Sequence, residues 1–243
     1  MVKNYRISDE AVNKRLHKML HLRAQYLLDG VDDLHVRVMK GNDKTGKTCW
    51  TVSLIPIADC KNCAACKNNC YDIRNDCIYT EVLESRAQNS AIHKADRSRY
   101  WNEIGEEIDR KKIEQLRNNV GGDVEYEDFA LITEVMEARP QCEFLFFTKS
   151  YDDTNQYISE NIDKYPDNFG FPSNVHPIFS RWLGVPCDNP YHLPESHVLW
   201  ENGDTTAPEF GAYYCKGNCS NCFKFDEGCP RLKAGESVIF KAH

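Results

Sequence analysis

The sequence predicts an α/β protein built on a parallel β-sheet. Segments with helical periodicity alternate along the chain with short apolar segments that are typical of strands. One of these, "CEFLFFTKS", is apolar on both faces, as a strand covered on both sides requires. The chain has 243 residues, 41% of them hydrophobic, which is enough for one large domain.

The first elements follow from capping and alternation signals. Ser8 is predicted to cap a helix that runs to about Leu28 and stops at Gly30. "LHVRVM" and "TCWTVSLIPI" alternate like strands. Residues 41–48, "GNDKTGKT", spell the phosphate-loop pattern. That loop needs a helix after its lysine, whereas β-branched and aromatic residues follow here, so a hairpin loop is predicted instead.

The later elements complete the alternation. Helical character runs from about Thr80 to Leu116, "YEDFALITEVMEARP" is an amphipathic helix, and another helix covers about Thr154–Ile162. The further predicted strands are "LRNNVGGD", "VHPIFSRW", "SHVLWE" and "ESVIFKAH". We predict an N-terminal helix over 1–30, an α/β core over 31–212 with a cysteine loop at 60–77, and a cysteine-rich C-terminal segment with the last strand over 213–243.

Charge and hydropathy limit the function classes. The net charge is -7, so binding to nucleic acid is not the default expectation. Mean hydropathy is -0.61, and no apolar run approaches the ~20 residues of a membrane helix. The N-terminus carries charges where a secretory signal is apolar. We expect a soluble cytoplasmic protein with no membrane partner. The basic helical residues Arg86, Lys94, Arg97 and Arg99 form either a solvated face or a local nucleic-acid patch.

The cysteines are strongly clustered. Nine of 12 lie within residues 60–77 and 215–229. In a reducing compartment such clusters indicate metal binding rather than disulfides. Cys49 and Cys142 stand alone and are predicted to be buried apolar residues. Cys187 or Cys77 could substitute as a ligand at either cluster.

The first cluster has the spacing of an iron–sulfur loop. Cys60-x2-Cys63-x2-Cys66-x3-Cys70 reproduces the bacterial ferredoxin run, with Tyr71 in place of the usual proline. Zinc commonly takes two well-separated cysteine pairs, which makes it the less suitable metal for this loop. Zinc is nevertheless kept as an alternative. Four ligands would close a [4Fe-4S] cluster and suggest electron transfer. Three would leave one iron open for a substrate or cofactor.

The second cluster is Cys215-x3-Cys219-x2-Cys222-x6-Cys229. Four thiols within 15 residues suit a closed site, either an auxiliary iron–sulfur cluster or a structural zinc knuckle. Such a site would fix a segment that lacks a core of its own.

Several polar residues follow predicted strands. Ligands of parallel sheets bind at the carboxyl ends of the strands. The first cysteine loop follows "SLIPI", and Gly121, Gly122 and Asp123 follow the next parallel strand. Lys149 and Ser180 end two later strands. Asp123 is predicted to contact a ligand, to cap the following helix, or to do both, and Lys149 is either a rim residue or a solvated loop residue.

At these residues the sequence resembles a known family. "SLIPIADCKNCAACKNNCY", "GGD", "ARPQCEFLFFTKS" and "CKGNCSNC…GCPRLKAGESVIFKAH" resemble the phage "gene product 88" family over most of residues 44–243. Its loop pattern, C-x5-C-x3-C-Y, corresponds here to Cys60, Cys66, Cys70 and Tyr71. That resemblance implies three primary ligands, with Cys63 as an extra, and a host cytoplasm as the location.

The order of elements is also similar to that of radical SAM enzymes. This similarity implies a partial β/α (TIM-like) barrel with an open-iron [4Fe-4S] cluster that binds S-adenosylmethionine, an external electron donor and a substrate that the sequence does not identify. Gly121, Gly122 and Asp123 stand where that family has its Gly-Gly-Glu turn, with Tyr71, Lys149 and Ser180 as further cofactor contacts. The alternatives are an electron carrier with Cys63 as fourth ligand, and a zinc-stabilised phage module that binds nucleic acid or protein.

Overall fold

The computed structural model describes residues 6–41, 45–70, 72–73 and 80–242. Tyr71, Cys77 and part of the 41–48 loop therefore lie outside the described residues. No helix in the described ranges is long and apolar enough to cross a membrane.

The described chain contains six α-helices and seven strands. The helices are α1 (Asp9–Asp29), α2 (Thr80–Ala95), α3 (Arg97–Lys111), α4 (Tyr126–Glu137), α5 (Tyr151–Asn161) and α6 (Cys219–Lys224). The strands are β1 (Trp50–Val52), β2 (Gln115–Asn118), β3 (Glu143–Thr148), β4 (Val175–Ser180), β5 (Glu195–Leu199), β6 (Tyr213–Tyr214) and β7 (Ser237–Lys241).

Most predicted elements are confirmed, and the differences have local causes. Ser8 caps α1 by accepting a hydrogen bond from the Ala11 amide, and Gly30 ends it with φ 91°. The predicted helical stretch from Thr80 to Leu116 is two helices, because Asp96 adopts an extended conformation and caps α3. Leu116 itself lies in β2. Strand β6 and helix α6 were not predicted.

All seven strands are parallel and form one open sheet in the order β1-β2-β3-β4-β5-β7-β6. The predicted α/β class with a parallel sheet is thus confirmed, and the sheet is not closed. Consecutive strands are neighbours from β1 to β5, so each crossover moves in the same direction. Because such crossovers are right-handed, their helices are expected on one face of the sheet.

That face carries the main apolar core. Phe129 of α4 is fully buried and its ring lies 6.2 Å from Phe146 of β3, 5.2 Å from Tyr157 of α5 and 5.7 Å from Phe171. Edge-to-face and tilted ring pairs of this kind add to the free energy of burying the rings. The sheet and its helices are therefore locked together around one aromatic cluster.

The opposite face is covered by the C-terminal segment. Leu145, Ile178 and Val238 point to this face and pack with Phe223 and Cys229. Phe144 and Phe146 belong to the first core, and Leu145 belongs to this one, so β3 is buried on both faces as its composition predicted. The cysteine-rich segment thus closes a sheet face that would otherwise be exposed to water.

The segment "LHVRVM" differs from its prediction. It makes one isolated antiparallel bridge, between Met39 and Thr51, and no ladder. The side chain of Asn89 instead satisfies the backbone N–H and C=O of Arg37. After the phosphate-loop look-alike, the chain enters strand β1, which agrees with its interpretation as a loop.

The basic stretch of α2 and α3 does not form an unpaired patch. Arg86 is buried against Asp72 at 2.6 Å, which corrects its interpretation as part of a solvated face. Arg97 pairs with Glu125 and Glu127. The other two also have acidic neighbours: Arg99 bonds to Glu103, and Lys94 lies 3.7 Å from Asp59.

The packing of Phe129 generates a stability prediction. Phe129→Ala removes a fully buried ring and should lower the free energy of unfolding by about 3–5 kcal/mol. Phe210 is 83% exposed, so Phe210→Ala is the matched control and should change it by less than about 0.5 kcal/mol. Urea unfolding followed by circular dichroism measures both. Equal effects would contradict this account of the core.

Candidate functional site at the carboxyl ends of the strands

The first cysteine loop is a compact series of turns after β1. Residues Cys63–Ala65 and Lys67–Asn69 form two short 3-10 turns, and the Cys66 amide donates to the Cys63 carbonyl at 3.1 Å. Ile57 and Asn62 adopt left-handed conformations with φ 72° and 52°. For a β-branched residue such as Ile57 this conformation is unfavourable, so surrounding contacts must hold it.

Asp59 connects the start of the loop to its surroundings. One of its carboxylate oxygens accepts from the Ile55 amide at 2.9 Å, and the other lies 2.9 Å from the guanidinium of Arg23 in α1. Its carbonyl accepts from the Asp123 amide at 2.7 Å. The buried Asp59 side chain therefore joins the loop to α1, while its backbone joins the loop to the turn after β2.

A second connection joins the loop to the end of β3. The side-chain amide of Asn62 donates to the Lys149 carbonyl at 2.7 Å, and Lys61 pairs with Asp153 of α5. Predicted rim residues from β1, β2 and β3 therefore lie together, as the carboxyl ends of neighbouring parallel strands must.

Asp123 does not cap helix α4, so the predicted capping role is wrong, and its contact with a ligand stays a prediction. Glu125 is the N-cap, and Asp128 completes a capping box by accepting from the Glu125 amide at 2.8 Å. The carboxylate of Asp123 instead accepts from the amides of Val124 at 2.9 Å and Lys149 at 2.8 Å. Asp123 is thus a buried carboxylate that connects the turn after β2 to the end of β3.

The electrostatics of Asp123 follow from its burial. Removal from water raises the pKa of its carboxyl to about 6, while the hydrogen bonds from Thr148 and from the Lys149 amide favour the charged form. The ammonium of Lys149 acts in the same direction as those hydrogen bonds.

The glycine turn is shaped by a buried ion pair. A Cβ on Gly121 would lie 2.1 Å from a carboxylate oxygen of Asp72, so only glycine fits. The other Asp72 oxygen pairs with Arg86 at 2.6 Å. Burial raises the pKa of Asp72, and Arg86 opposes that rise. Gly122 has φ 88°, which glycine adopts without strain.

Lys149 and Ser180 also meet at this rim. The Lys149 ammonium donates to the Ser180 hydroxyl at 3.1 Å and lies 5.6 Å from the centroid of the Trp182 ring. The hydroxyl of Tyr151 donates to the Ser180 carbonyl at 2.5 Å. These residues come from the ends of β3 and β4, and Lys149 is half-buried among them.

The four loop thiols are free and half-buried. The Ile57 amide donates to Cys60 Sγ at 3.3 Å, and the thiols of Cys63 and Cys66 donate to the backbone carbonyls of Ile57 and Cys63. Burial raises the pKa of Cys60 and Cys63, and raises that of Cys70 to about 11. Lys149 opposes the rise at Cys60 and Cys63.

Each thiol thus has its own backbone neighbours. Within the described ranges, no three His, Cys, Asp or Glu side chains are arranged to hold a metal ion. The predicted ligands share one loop, but their sulfur atoms do not converge on one point.

The second cysteine group lies at the opposite end of the sheet. Ser220 accepts hydrogen bonds from the amides of Thr48 and Cys49, which precede β1, and Arg231 pairs with Glu143 at the start of β3. These contacts place the C-terminal segment at the amino ends of the strands. The two cysteine groups are therefore separate.

Cys49 was not predicted to belong to either group, yet it lies against the second. Its buried thiol lies beside Cys219 and donates to the Trp50 carbonyl at 3.8 Å, and Arg117 of β2 approaches Cys219 Sγ at 3.7 Å. Both neighbours lower the pKa of the Cys219 thiol, because each stabilises its thiolate form. The thiol of Cys187, an alternative ligand from the sequence, instead donates to the Asp188 carbonyl at 3.9 Å.

Four supporting residues were not among the predicted ones: Asp59, Asp72, Arg117 and Cys49. Asp59 directly precedes Cys60 and Asp72 directly follows the "CY" pair, so carboxylates flanking the loop were an available signal. Arg117 is a charge inside a strand, which is itself unusual. Nothing in the sequence connects Cys49 with Cys219, 170 positions later.

An open surface groove of about 650 Å³ lies elsewhere, along residues 33–39 and the end of α3. Among its ionisable residues, Glu107 pairs with both Arg110 and Lys111. The groove does not include any of the predicted site residues, so the rim is the better candidate on chemical grounds.

The raised pKa of Asp123 generates a prediction about pH. Its folded-state pKa of about 6 lies above the unfolded value of 3.8, so its stabilising contribution is present below pH ~4 and is lost as pH rises through about 6. The free energy of unfolding of metal-free wild type, relative to Asp123→Asn, should fall by up to about 3 kcal/mol across that interval. Urea titrations at stepped pH measure it. A constant difference would refute the shift.

Comparison with known proteins identifies a family. The sequence model of Gene product 88 matches residues 32–197, which include the first cysteine loop, the glycine turn, Lys149 and Ser180. The C-terminal cysteine group lies beyond the matched range. No curated protein and no solved structure matches the chain. Since the match covers more than half of the sequence, this chain belongs to the Gene product 88 family.

Proposed function

We propose that this protein binds an iron–sulfur cluster on the 60–70 loop and acts as a radical SAM-like enzyme. The observation that carries the proposal is the placement of four uncrosslinked thiols on one turn at the carboxyl ends of parallel strands. The open parallel sheet, whose strands are in consecutive order from β1 to β5, supports a partial β/α barrel of the radical SAM type.

The donor set suits iron in kind. Thiolates are the soft ligands that iron–sulfur clusters require, and the spacing allows several of them to reach one cluster from a single loop. As the loop stands, burial keeps the thiols of Cys60 and Cys70 protonated at neutral pH. A bound metal core would reverse this by its positive charge, and the thiols would exchange weak backbone contacts for metal bonds.

When bound, an open-iron [4Fe-4S] cluster supplies the electron that cleaves S-adenosylmethionine. The residues of this chain position the partners. Gly121 and Gly122 allow close approach of a ligand to the backbone, since neither has a side chain. Asp123 connects the turn after β2 to the end of β3, because its carboxylate accepts from the amides of Val124 and Lys149. We assign Asp123 a positioning role, since both of its oxygens already have partners.

A second candidate, an electron carrier, is favoured by the position of Cys63. Cys63 lies in the same turns as the other three, and its thiol is close enough to Cys66 to raise its own pKa. Such a fourth thiol could close the cluster and leave no open iron. A zinc-stabilised binding module is the third candidate, and metal analysis separates it from the first two.

Iron and sulfide analysis of anaerobically purified protein tests the proposal. Wild type should hold about four more irons per chain than Cys66→Ser, because that difference counts only the loop cluster. Cys187→Ser is the matched control, since Cys187 is also a half-buried free thiol, and it should keep the wild-type iron content. A colourless protein with stoichiometric zinc would overturn the proposal.

The Cys63→Ala variant separates the two iron–sulfur candidates. With three primary ligands it should keep the loop iron, and with four it should lose most of it. Dithionite plus S-adenosylmethionine should release 5′-deoxyadenosine from wild type. Iron without this release under any reductant would leave an electron carrier and refute the enzyme.

A further inference from the structure

A group of aromatic and polar side chains lies beside the cysteine loop. It comprises Lys149, Ser180, Trp182 and Trp200, from the ends of β3, β4 and β5. We call these four residues the lysine–tryptophan corner. All four are half-buried, so the corner opens to the solvent at the rim of the sheet.

The ammonium of Lys149 lacks an anionic partner among the described residues. Its bonded neighbour is the neutral Ser180 hydroxyl, and its second contact is the face of the Trp182 ring. An ammonium has three donors, so one neutral acceptor leaves its charge and further donors available. Asp123, the nearby carboxylate, accepts from the backbone amide of Lys149 rather than from its side chain.

The tryptophans provide the apolar side of the corner. The rings of Trp182 and Trp200 lie 5.4 Å apart at 88°, an edge-to-face pair. Such a pair at a rim presents flat ring surface next to a cation, and indoles stack readily on planar ligands. The Tyr151 hydroxyl donates to the Ser180 carbonyl, so the backbone at the corner is held in place by a residue of α5.

The corner also faces the cysteine loop. The side chain of Asn62 bonds to the Lys149 carbonyl, which joins the two segments directly. A molecule bound at the corner would thus lie next to the proposed cluster.

We propose that the lysine–tryptophan corner binds the substrate, an organic anion with a carboxylate or phosphate attached to a planar ring. Lys149 and Ser180 take the anionic group, and Trp182 and Trp200 take the ring. In naming a substrate this inference rests on the proposed function, but binding to the corner requires neither iron nor turnover.

Two matched probe pairs test the corner in the full-length protein: adenosine 5′-monophosphate against adenosine, and nicotinate against nicotinamide. The two ligands of each pair share the same ring, and one of them carries an anionic group whereas the other is neutral. Quenching of tryptophan fluorescence measures binding. At least one anion should quench saturably, and about tenfold more tightly than its neutral partner, as one charge-assisted hydrogen bond provides. The pair that responds identifies phosphate or carboxylate.

Variants locate the binding. Lys149→Met should weaken the anion about tenfold, Lys149→Arg should retain most of the affinity, and Trp200→Leu should weaken the ring contact. Lys233→Met is the matched control, since Lys233 is an exposed lysine outside the corner, and should bind as wild type does. In wild type, the affinity for the anion should fall as salt is added, and this measurement needs no variant.

The inference is overturned if no probe anion binds saturably, if anion and neutral partner bind equally, or if folded Lys149→Met binds as wild type does. Iron content is measured on the same preparations. Anion binding by iron-free protein would refute the proposed function and support the corner. An iron-loaded protein that binds none of the four probes would support the proposed function and refute the corner.

Discussion

The carboxylate of Asp123 is the interaction on which the candidate site depends. Parallel pairing brings the ends of β1, β2 and β3 to one edge, but pairing stops before the loops begin. Beyond that point, Asp123 bonds to the Lys149 amide, and its own amide bonds to the Asp59 carbonyl. A buried carboxylate that accepts from several backbone amides connects those segments firmly, because each amide would otherwise lack a partner away from water.

Buried polar side chains are concentrated around the Asp123 carboxylate. Asp72, Arg86 and Asp59 are all buried side chains that contact the loop or the glycine turn. Buried ion pairs contribute little net stability compared with apolar packing, but they penalise alternative arrangements. Their concentration at one edge of the sheet, while the aromatic cluster around Phe129 supplies apolar burial, is the pattern expected where a protein gives up stability for a defined site.

The two cysteine groups serve different places in the fold. The 60–70 loop lies at the carboxyl ends of the strands, where backbone and side chains are open to ligands. The 215–229 group lies at the amino ends and covers the second face of the sheet, with Phe223 and Cys229 in its core. Cys219, with Cys49 and Arg117 around it, couples that segment to β1 and β2. This arrangement suits a stabilising role for the second group and a chemical role for the first.

The sequence by itself determined the parallel α/β class, most elements and the rim location of residues 60–70, 121–123, Lys149 and Ser180. Those features depend on periodicity and on order along the chain, which the sequence displays directly. It did not determine that Asp123 connects the ends of two strands instead of capping α4, because both roles need a carboxylate that accepts from backbone amides. Nor could it show that Arg86 is buried, that Cys49 meets Cys219 or that Trp182 meets Trp200. Only the tertiary structure decided these contacts, since they join residues that are distant in the chain and depend on the register and crossover direction of the sheet.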